Sequence, residues 1–439
     1  MKEQTSIPVT KVQRATRFIA TGAKIGRNYI KHYGKKLVDS TTTREQLHED
    51  NATDIYDSLS KLKGSALKVA QMLSMDKNLL PKAYQQQFSM AQYSAPPLSY
   101  PLVVKTFHTY FGKAPGQIFD SFSHQASNAA SMGQVHRATL KGKTLAVKIQ
   151  YPGVSDSVKS DLAMVKPIAL RMFKLNPVEY EEFIGEVESR LLEEADYKLE
   201  LKRSIELSEK SKLIKNLVFP TYYPAYSAPK ILTMDWLEGQ LLGEYLKKDR
   251  PSKEIANRIG QAMWDFYHFQ FHELKAVHAD PHPGNFIITP DDKLGIIDFG
   301  CVKEIPEDFY KIYFQLHHKD ILNDADRLEK IFYQMRFIYP EDSENEKKFF
   351  KKVFFELLEL LGRPFHTKQF DFSDPTYFQT LYSVGEKVSG MKEIRDSKRA
   401  RGIKHAVYIN RTYFGLYNIL NELGATINTH SFVPSWKTF

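Results

Sequence analysis

The chain has 439 residues, 42% hydrophobic and 26% charged, with a formal charge of +9, which is enough length and apolar content for two or three core-forming units. Its lone cysteine, Cys301, excludes an intrachain disulfide framework and a multi-cysteine zinc site, and it fits a reducing, cytoplasmic setting. No stretch reaches the roughly 18 uninterrupted apolar residues of a membrane span. The start MKEQTSIPVT lacks the apolar core of a secretory signal, so membrane contact is expected to be peripheral, at the inner face.

Residues 1–45 form a basic amphipathic segment. From Lys11 to Lys36, Arg14, Arg17, Lys24, Arg27, Lys31 and Lys35 are interleaved with Phe18, Ile19, Ile25, Tyr29 and Ile30, and no acidic residue intervenes. Two readings stand side by side: attachment to an anionic membrane surface, where apolar burial and cation attraction add, and a solvated helix packed on its own domain. A mitochondrial transit peptide ranks below both, because the apparent core begins soon after. No nucleic-acid partner is expected.

Residues 46–114 read as a helical extension, with Thr53 or Asp54 as its cap and Ile55, Leu59, Leu62, Ala66, Val69 and Leu73 at helical spacing. Pro81 opens another short helix, and Pro96 with Pro97 closes the region. Residues 115–235 change texture: QVHRATL, a Lys141–Gly142 turn and TLAVKIQYPG predict a hairpin. Helical stretches follow around Asp161 to Lys174 and from Pro177 to Lys210, then the strand-like run KILTMDWLEG. Residues 236–439 are mainly helical, interrupted by the loop HADPHPGNF and the strand pair FIIT and LGIIDFG.

The strongest chemical signal is HADPHPGNFIITPDDKLGIIDFG, which sets Asp280, Asn285 and Asp298 in a loop, strand, turn, strand, loop order. Protein kinases carry an Asp, four residues and an Asn on their catalytic loop, followed by a hairpin ending in Asp-Phe-Gly. Phosphoryl transfer asks little covalent work of a protein; it needs magnesium held against the phosphates and a carboxylate near the attacking oxygen. Asn285 and Asp298 offer the hard oxygen donors magnesium prefers, and Asp280 is the candidate to orient or deprotonate the nucleophile. Asp-Phe-Gly alone would be an ordinary strand end, but that reading does not account for the whole constellation. Upstream, Lys148 is the only charge in the apolar run LAVKIQ, and a charge in a buried strand needs a partner or ligand. In the kinase pattern such a lysine meets the α- and β-phosphates and pairs with a helix glutamate.

Three features call for less. His278, Asp280 and His282 alternate as in a metal site, yet a histidine before the catalytic aspartate is common in kinases, and no further His or Cys cluster completes a zinc shell. Cys301 reads as packing. The aromatic residues of the last hundred positions read as core, although a quinone-like lipid would also suit them.

Three further elements make a resemblance specific. NAASMGQVH, with Ala129, Ala130, Ser131, Met132, Gly133 and Gln134, stands where kinases have a glycine-rich loop. ALKVAQMLS carries Lys68 and Gln71, and EADYKLE carries Glu194 and Asp196 followed by Glu200. From about residue 53 to the end the chain resembles the UbiB/AarF family of atypical kinases involved in isoprenoid quinone biosynthesis. Ala70 departs from the family's usual glycine, and its methyl is expected to loosen or reposition that helix.

The resemblance implies an α+β, two-lobed protein-kinase-like fold, with 46–114 as an N-terminal extension bearing the Lys-x-x-Gln element, 115–235 as N-lobe and 236–439 as a mainly helical C-lobe. It also implies ATP or ADP with Mg2+ as cofactors, Lys148 paired with Glu200, and Lys68 and Gln71 placed across the nucleotide site, where they obstruct a peptide groove. Glu194, Asp196, Met234 and Leu237 join the candidate nucleotide-binding residues. Quinone-biosynthesis enzymes and a quinone-like lipid are the implied partners. On an ideal helix Asp196 and Glu200 share a face and Glu194 lies well round from them, so either the helix is irregular there or Glu194 has another partner. Alanine resists positive φ, so the loop should not close over phosphates as glycine does; turnover is expected to be slow or altered, with Ala129→Gly and Ala130→Gly shifting the ATP-to-ADP preference. Two other readings remain: a small-molecule phosphotransferase of the aminoglycoside or choline kinase type, and a nucleotide-sensing pseudokinase scaffold.

Overall fold

Lys141 and Gly142 both take positive φ, 50° and 78°, the two-residue turn whose twist matches a hairpin. The computed structural model that shows this describes residues 44–62, 98–129, 132–173, 177–248, 251–391, 393 and 401–431, with Thr16 and most of 20–32. Lys68, Ala70 and Gln71, the periodic Ala66, Val69 and Leu73, the expected Pro81 helix, and Ala130 and Ser131 lie outside the described residues.

The architecture is α+β. In chain order come α1 (Arg44–Leu62), α2 (Tyr100–Phe111), β1 (Ser121–Phe122), β2 (Asn128–Ala129), β3 (Gly133–Leu140) and β4 (Lys143–Gln150). Then follow α3 (Val154–Phe173), α4 (Pro177–Glu194), α5 (Tyr197–Lys210), β5 (Leu217–Val218), β6 (Ile231–Asp235), β7 (Gln240–Leu241) and α6 (Lys253–Phe269). Last are β8 (Ala276–His278), β9 (Phe286–Ile288), β10 (Leu294–Ile296), β11 (Val302–Glu304), α7 (Glu307–Tyr313), α8 (Ala325–Gln334), α9 (Glu344–Gly362), β12 (Gln369–Asp371), α10 (Pro375–Gly390), α11 (Lys404–Leu423) and β13 (Thr426–Asn428). Two compact units divide the chain, Met1–Lys202 with Thr221–Trp236, and Arg203–Pro220 with Leu237–Phe439.

In the first unit a five-stranded antiparallel sheet runs β1-β3-β4-β6, with β2 also on β3. Side chains alternate across a strand, and one face carries Ala138, Leu145, Val147, Ile149 and Ile231, all buried against Val103 and Phe107 of α2 and Phe119. Rings of Phe107, Phe119 and Phe122 meet edge-on or tilted at 5.6–6.1 Å, the geometry aromatic quadrupoles favour. This core leaves the opposite face, with Val135, Ala146, Lys148 and Met234, for other work.

Three helix boundaries differ from the sequence reading. α1 begins at Arg44, so Thr53 and Asp54 are interior rather than capping. The Thr53 hydroxyl donates back to the Glu49 carbonyl at 3.0 Å, and Asp54 accepts from Asn28 Nδ2 at 2.8 Å and pairs with Lys24 at 3.3 Å. Thus the described part of the basic segment docks on α1 through polar groups, while Ile30 is 77% exposed beside exposed Arg27 and Lys31. The expected Pro177–Lys210 helix is broken after Glu194, and α3 starts at Val154, ahead of the expected Asp161.

In the second unit α6 opens with Ser252 accepting the Ile255 N–H at 3.3 Å, a side-chain cap for an otherwise orphan amide. Its buried stripe of Ile259, Met263, Trp264, Phe266 and Tyr267 belongs to a large core shared with α9, α10 and α11. Phe350, Phe365, Phe372, Tyr377, Tyr413 and Tyr417 are all in it, so the C-terminal aromatics are packing residues. Strands β5-β10-β9-β7 form one sheet, and β8 with β11 a separate two-stranded ribbon.

Candidate functional site

In the first unit Lys148 stands opposite Val135 on β3 and Leu232 on β6, and Ala146 stands opposite Met234. Directly opposed residues share a face, so Lys148, Ala146, Val135 and Met234 lie together on the side turned away from the aromatic core. The Lys148 ammonium bonds Glu200 Oε1 at 2.7 Å, with the lysine 19% and the glutamate 1% exposed. Water is nearly excluded from the carboxylate, so this is a buried pair, and removing one member of such a pair costs about 3–5 kcal/mol.

Glu200 reaches Lys148 because of the break in the helix. Asp196 lies just before α5, and its Oδ1 accepts the N–H groups of Lys198 and Leu199, both at 3.1 Å, an acidic N-cap that also suits the helix dipole. One turn later comes Glu200. Asp196, Glu194 and Glu200 are therefore not on one ideal helix: Glu194 ends α4, Asp196 caps α5, and Glu200 sits in its first turn.

Tyr197, 1% exposed, adds a contact the motifs do not announce. Its ring lies 5.1 Å from the Lys148 ammonium, a cation–π distance. A Cβ on Gly133 would sit 2.6 Å from the Tyr197 hydroxyl and 2.6 Å from the Ile149 carbonyl oxygen. Glycine is needed at 133 for close approach, not for an unusual φ. Of the loop NAASMGQ, Ala129 pairs with Gln134 across β2 and β3, Met132 is buried and its carbonyl accepts the Tyr151 N–H at 3.0 Å. Gln134 is structural: its side-chain oxygen accepts the Leu98 N–H at 2.6 Å, and its amide meets His136 at 2.8 Å.

In the second unit the ribbon and the hairpin converge on the candidate carboxylates. β8 pairs with β11 with His278 opposite Val302, and the Ala279 N–H continues to the Cys301 carbonyl at 2.9 Å, so Asp280 leaves the ribbon beside Asp298-Phe299-Gly300. β9 pairs with β10 with Phe286 opposite Ile296, and the Ile297 N–H reaches the Asn285 carbonyl at 3.2 Å, placing Asn285 next to Asp298. Asn285 Nδ2 donates to the Asp280 carbonyl at 3.0 Å, which turns its Oδ1 away as an acceptor. Asp298 Oδ1 accepts the Gly300 N–H at 2.8 Å.

The loop's remaining residues are anchors. His278 is fully buried, takes the Gln270 side-chain oxygen on its backbone N–H at 2.8 Å, and lies 6.0 Å from the Phe299 ring. Phe299, also fully buried, packs edge-on against Phe266 at 6.3 Å. His282 Nδ1 accepts the Gly284 N–H at 3.0 Å. The two histidines are thus committed separately, and among the described residues no group of three or more His, Cys, Asp or Glu is arranged to hold a metal. Asn285 with Asp298 is a different donor set, one amide and one carboxylate oxygen, which suits an ion that takes its remaining ligands from water and phosphate. Leu237 belongs to this unit and would meet a Cβ on Gly295 at 3.1 Å.

Comparison with known proteins agrees with these assignments of fold. Residues 90–332 match the ABC1 atypical kinase-like domain. A chloroplastic aarF domain-containing protein kinase of Arabidopsis thaliana is 30% identical over 308 residues, 68% of this chain, which spans 43% of that protein's length. The mitochondrial atypical kinase COQ8 of Saccharomyces cerevisiae is 26% identical over 440 residues, 97% of this chain and 84% of that protein. A solved Mycobacterium tuberculosis structure, the complex of Rv3197 with erythromycin, matches with a TM-score of 0.59 at 25% identity, covering 90% of this chain and 98% of that one. The fold is accordingly protein-kinase-like, and the chain belongs to the UbiB/AarF family of ABC1 atypical kinases.

Proposed function

We propose that this chain binds MgATP as a UbiB-like atypical kinase or ATPase and supports isoprenoid quinone biosynthesis at a membrane surface. The observation that carries the nucleotide reading is the buried Lys148–Glu200 pair at 2.7 Å: a cation held in a strand interior by a carboxylate is pre-oriented for phosphate oxygens. Ala146 and Met234, on the same face, offer apolar surface to a base. Glu200 orients Lys148. In the second unit Asp280 orients the attacking hydroxyl or water and receives its proton, and Asn285 and Asp298 are the residues that would hold magnesium. Magnesium, when bound, neutralises phosphate charge. The Asn285 amide, by donating to the Asp280 carbonyl, fixes the backbone at the base and its own oxygen together.

The quinone role rests on family membership. The membrane surface is supported by exposed Arg27, Ile30 and Lys31 on the basic segment, and no described helix is long and apolar enough to cross a membrane. Quinone-biosynthesis enzymes and a quinone-like lipid are the partners this reading entails. Phosphate release from MgATP, measured with and without phosphatidylglycerol vesicles, tests it. Release that vesicles stimulate and Asp298→Asn abolishes supports the ATPase; none from folded protein under either condition refutes it.

A further inference from the structure

Lys230 immediately precedes β6, and its ammonium meets three acceptors on other segments. It bonds Gln150 Oε1, the Ser155 hydroxyl at 2.9 Å and the Ala195 carbonyl at 3.4 Å. Gln150, 1% exposed, donates its Nε2 to the same Ala195 carbonyl at 2.9 Å. Its own backbone N–H goes to the Lys230 carbonyl at 3.0 Å, so the two residues are tied through both main chain and side chains.

Ala195 is the first of the two residues between α4 and α5. Four residues on, the Leu199 N–H that would close a helical bond to the Ala195 carbonyl is taken by the Asp196 carboxylate instead. The break therefore leaves that carbonyl over, as at any helix end, and the sheet supplies two donors for it, one of them a cation of the sign a helix C-terminus favours. The next residue, Asp196, caps α5, and Glu200 follows within one turn. A rotation of α5 by one residue would swing Glu200 through about 100° and move it about 1.5 Å along the axis, out of reach of Lys148.

We propose that Lys230, acting with Gln150, is a positioning clamp that holds the α4–α5 junction to the sheet and thereby sets the Lys148–Glu200 pair. Its meaning for catalysis rests on the reading of Lys148 as a phosphate ligand; the clamp itself concerns only how the Lys148–Glu200 pair is placed. Gln150, Lys148 and Ala146 share one face of β4, so junction and site are read from the same strand. Lys230→Met should leave the aromatic core untouched, because Lys230 contributes nothing to it.

The test is the rate at which acetic anhydride acetylates Lys148 in the full chain, mapped by peptide mass spectrometry, with exposed Lys105 as the internal reference. Glu200→Gln calibrates the unpaired state. In Lys230→Met and Gln150→Leu the Lys148 rate should rise about threefold to tenfold relative to Lys105, the span of about half to one unit in lysine basicity, and Lys230→Arg should restore most of it. Unchanged Lys148 rates in folded variants overturn the clamp. Loss of the cooperative melt in both Lys230→Met and Gln150→Leu also overturns it, because the two residues would then be holding the unit together and not setting one pair. Protection of Lys148 by MgATP in the unmodified protein is scored separately: raised rates in the variants without protection keep the clamp and reject the nucleotide reading, whereas protection with unchanged rates does the reverse.

Discussion

Replacing Lys148 with Met removes the ammonium and keeps the length of the apolar stem, leaving the Glu200 carboxyl 1% exposed beside it. The carboxyl then either stays ionised in the interior or takes up a proton. Protonating an ordinary glutamate, with a pKa of about 4.3, costs about 3.7 kcal/mol at pH 7, and this is a ceiling on the penalty because the group will neutralise before it bears more. At pH 5 the same ceiling is about 1 kcal/mol. The figure at pH 7 agrees with the roughly 3–5 kcal/mol seen when one partner of a buried pair is deleted. Urea unfolding at the two pH values is the assay, run on the unmodified chain, on Lys148→Met and on Lys148→Met with Glu200→Leu. Lys148→Met should lose about 3 kcal/mol at pH 7 and about 1 at pH 5, while the double variant, with no carboxyl to bury, should sit near the unmodified chain at both. A loss independent of pH, or a double variant no better than the single, refutes the reasoning.

Two further outcomes follow from the packing. Gly133→Ala should cost about 1–3 kcal/mol by overpacking, since its Cβ would meet the Ile149 carbonyl oxygen and the Tyr197 hydroxyl at 2.6 Å each; adding Tyr197→Phe should recover part of the loss in thermal unfolding, but not all, because the carbonyl stays. Burial holds His268 and His272 well below the ordinary histidine range and pushes His317 down to about 3. Such histidines stay neutral when folded and charge when unfolded, so stability is flat above pH 6.5 and falls below it, by about 1.4 kcal/mol per pH unit for each and about 4 for the three, until the folded values are reached. Unfolding midpoints at pH 8, 6.5 and 5 check this; His317→Phe, which keeps the stack on Phe365 at 4.3 Å, should make the fall shallower.

Much of the fold was legible because local chemistry and tertiary structure agree. Lys141–Gly142 can hardly be other than a two-residue hairpin turn, and the strands either side of it run as their alternation predicts. Asp280, Asn285 and Asp298 stand out as candidates by their spacing, and the hairpin of β9 and β10 brings Asn285 beside Asp298. The α4–α5 break was hidden because EADYKLE has no proline or glycine to announce it; the signal was Asp196 itself, a better cap than helix-interior residue. α1 was placed too late for the opposite reason, since Thr53 and Asp54 look like a cap but bond inward to the helix and to the preceding segment. The contacts of Tyr197 and Lys230 were not legible because their partners, Lys148, Gln150 and Ala195, are tens of residues away in sequence. A lone lysine ahead of the apolar run ILTM was the one available hint.

The central proposal is that this member of the family binds MgATP and that Lys148 and Asp298 are each needed for it. Calorimetric titration of MgATP into the unmodified chain, Lys148→Met and Asp298→Asn tests it most directly. The account predicts saturable binding that needs Mg2+, with affinity reduced at least about tenfold, or about 1.4 kcal/mol, in both variants while their thermal unfolding remains cooperative. Binding that is indifferent to Mg2+ and to both substitutions would contradict it.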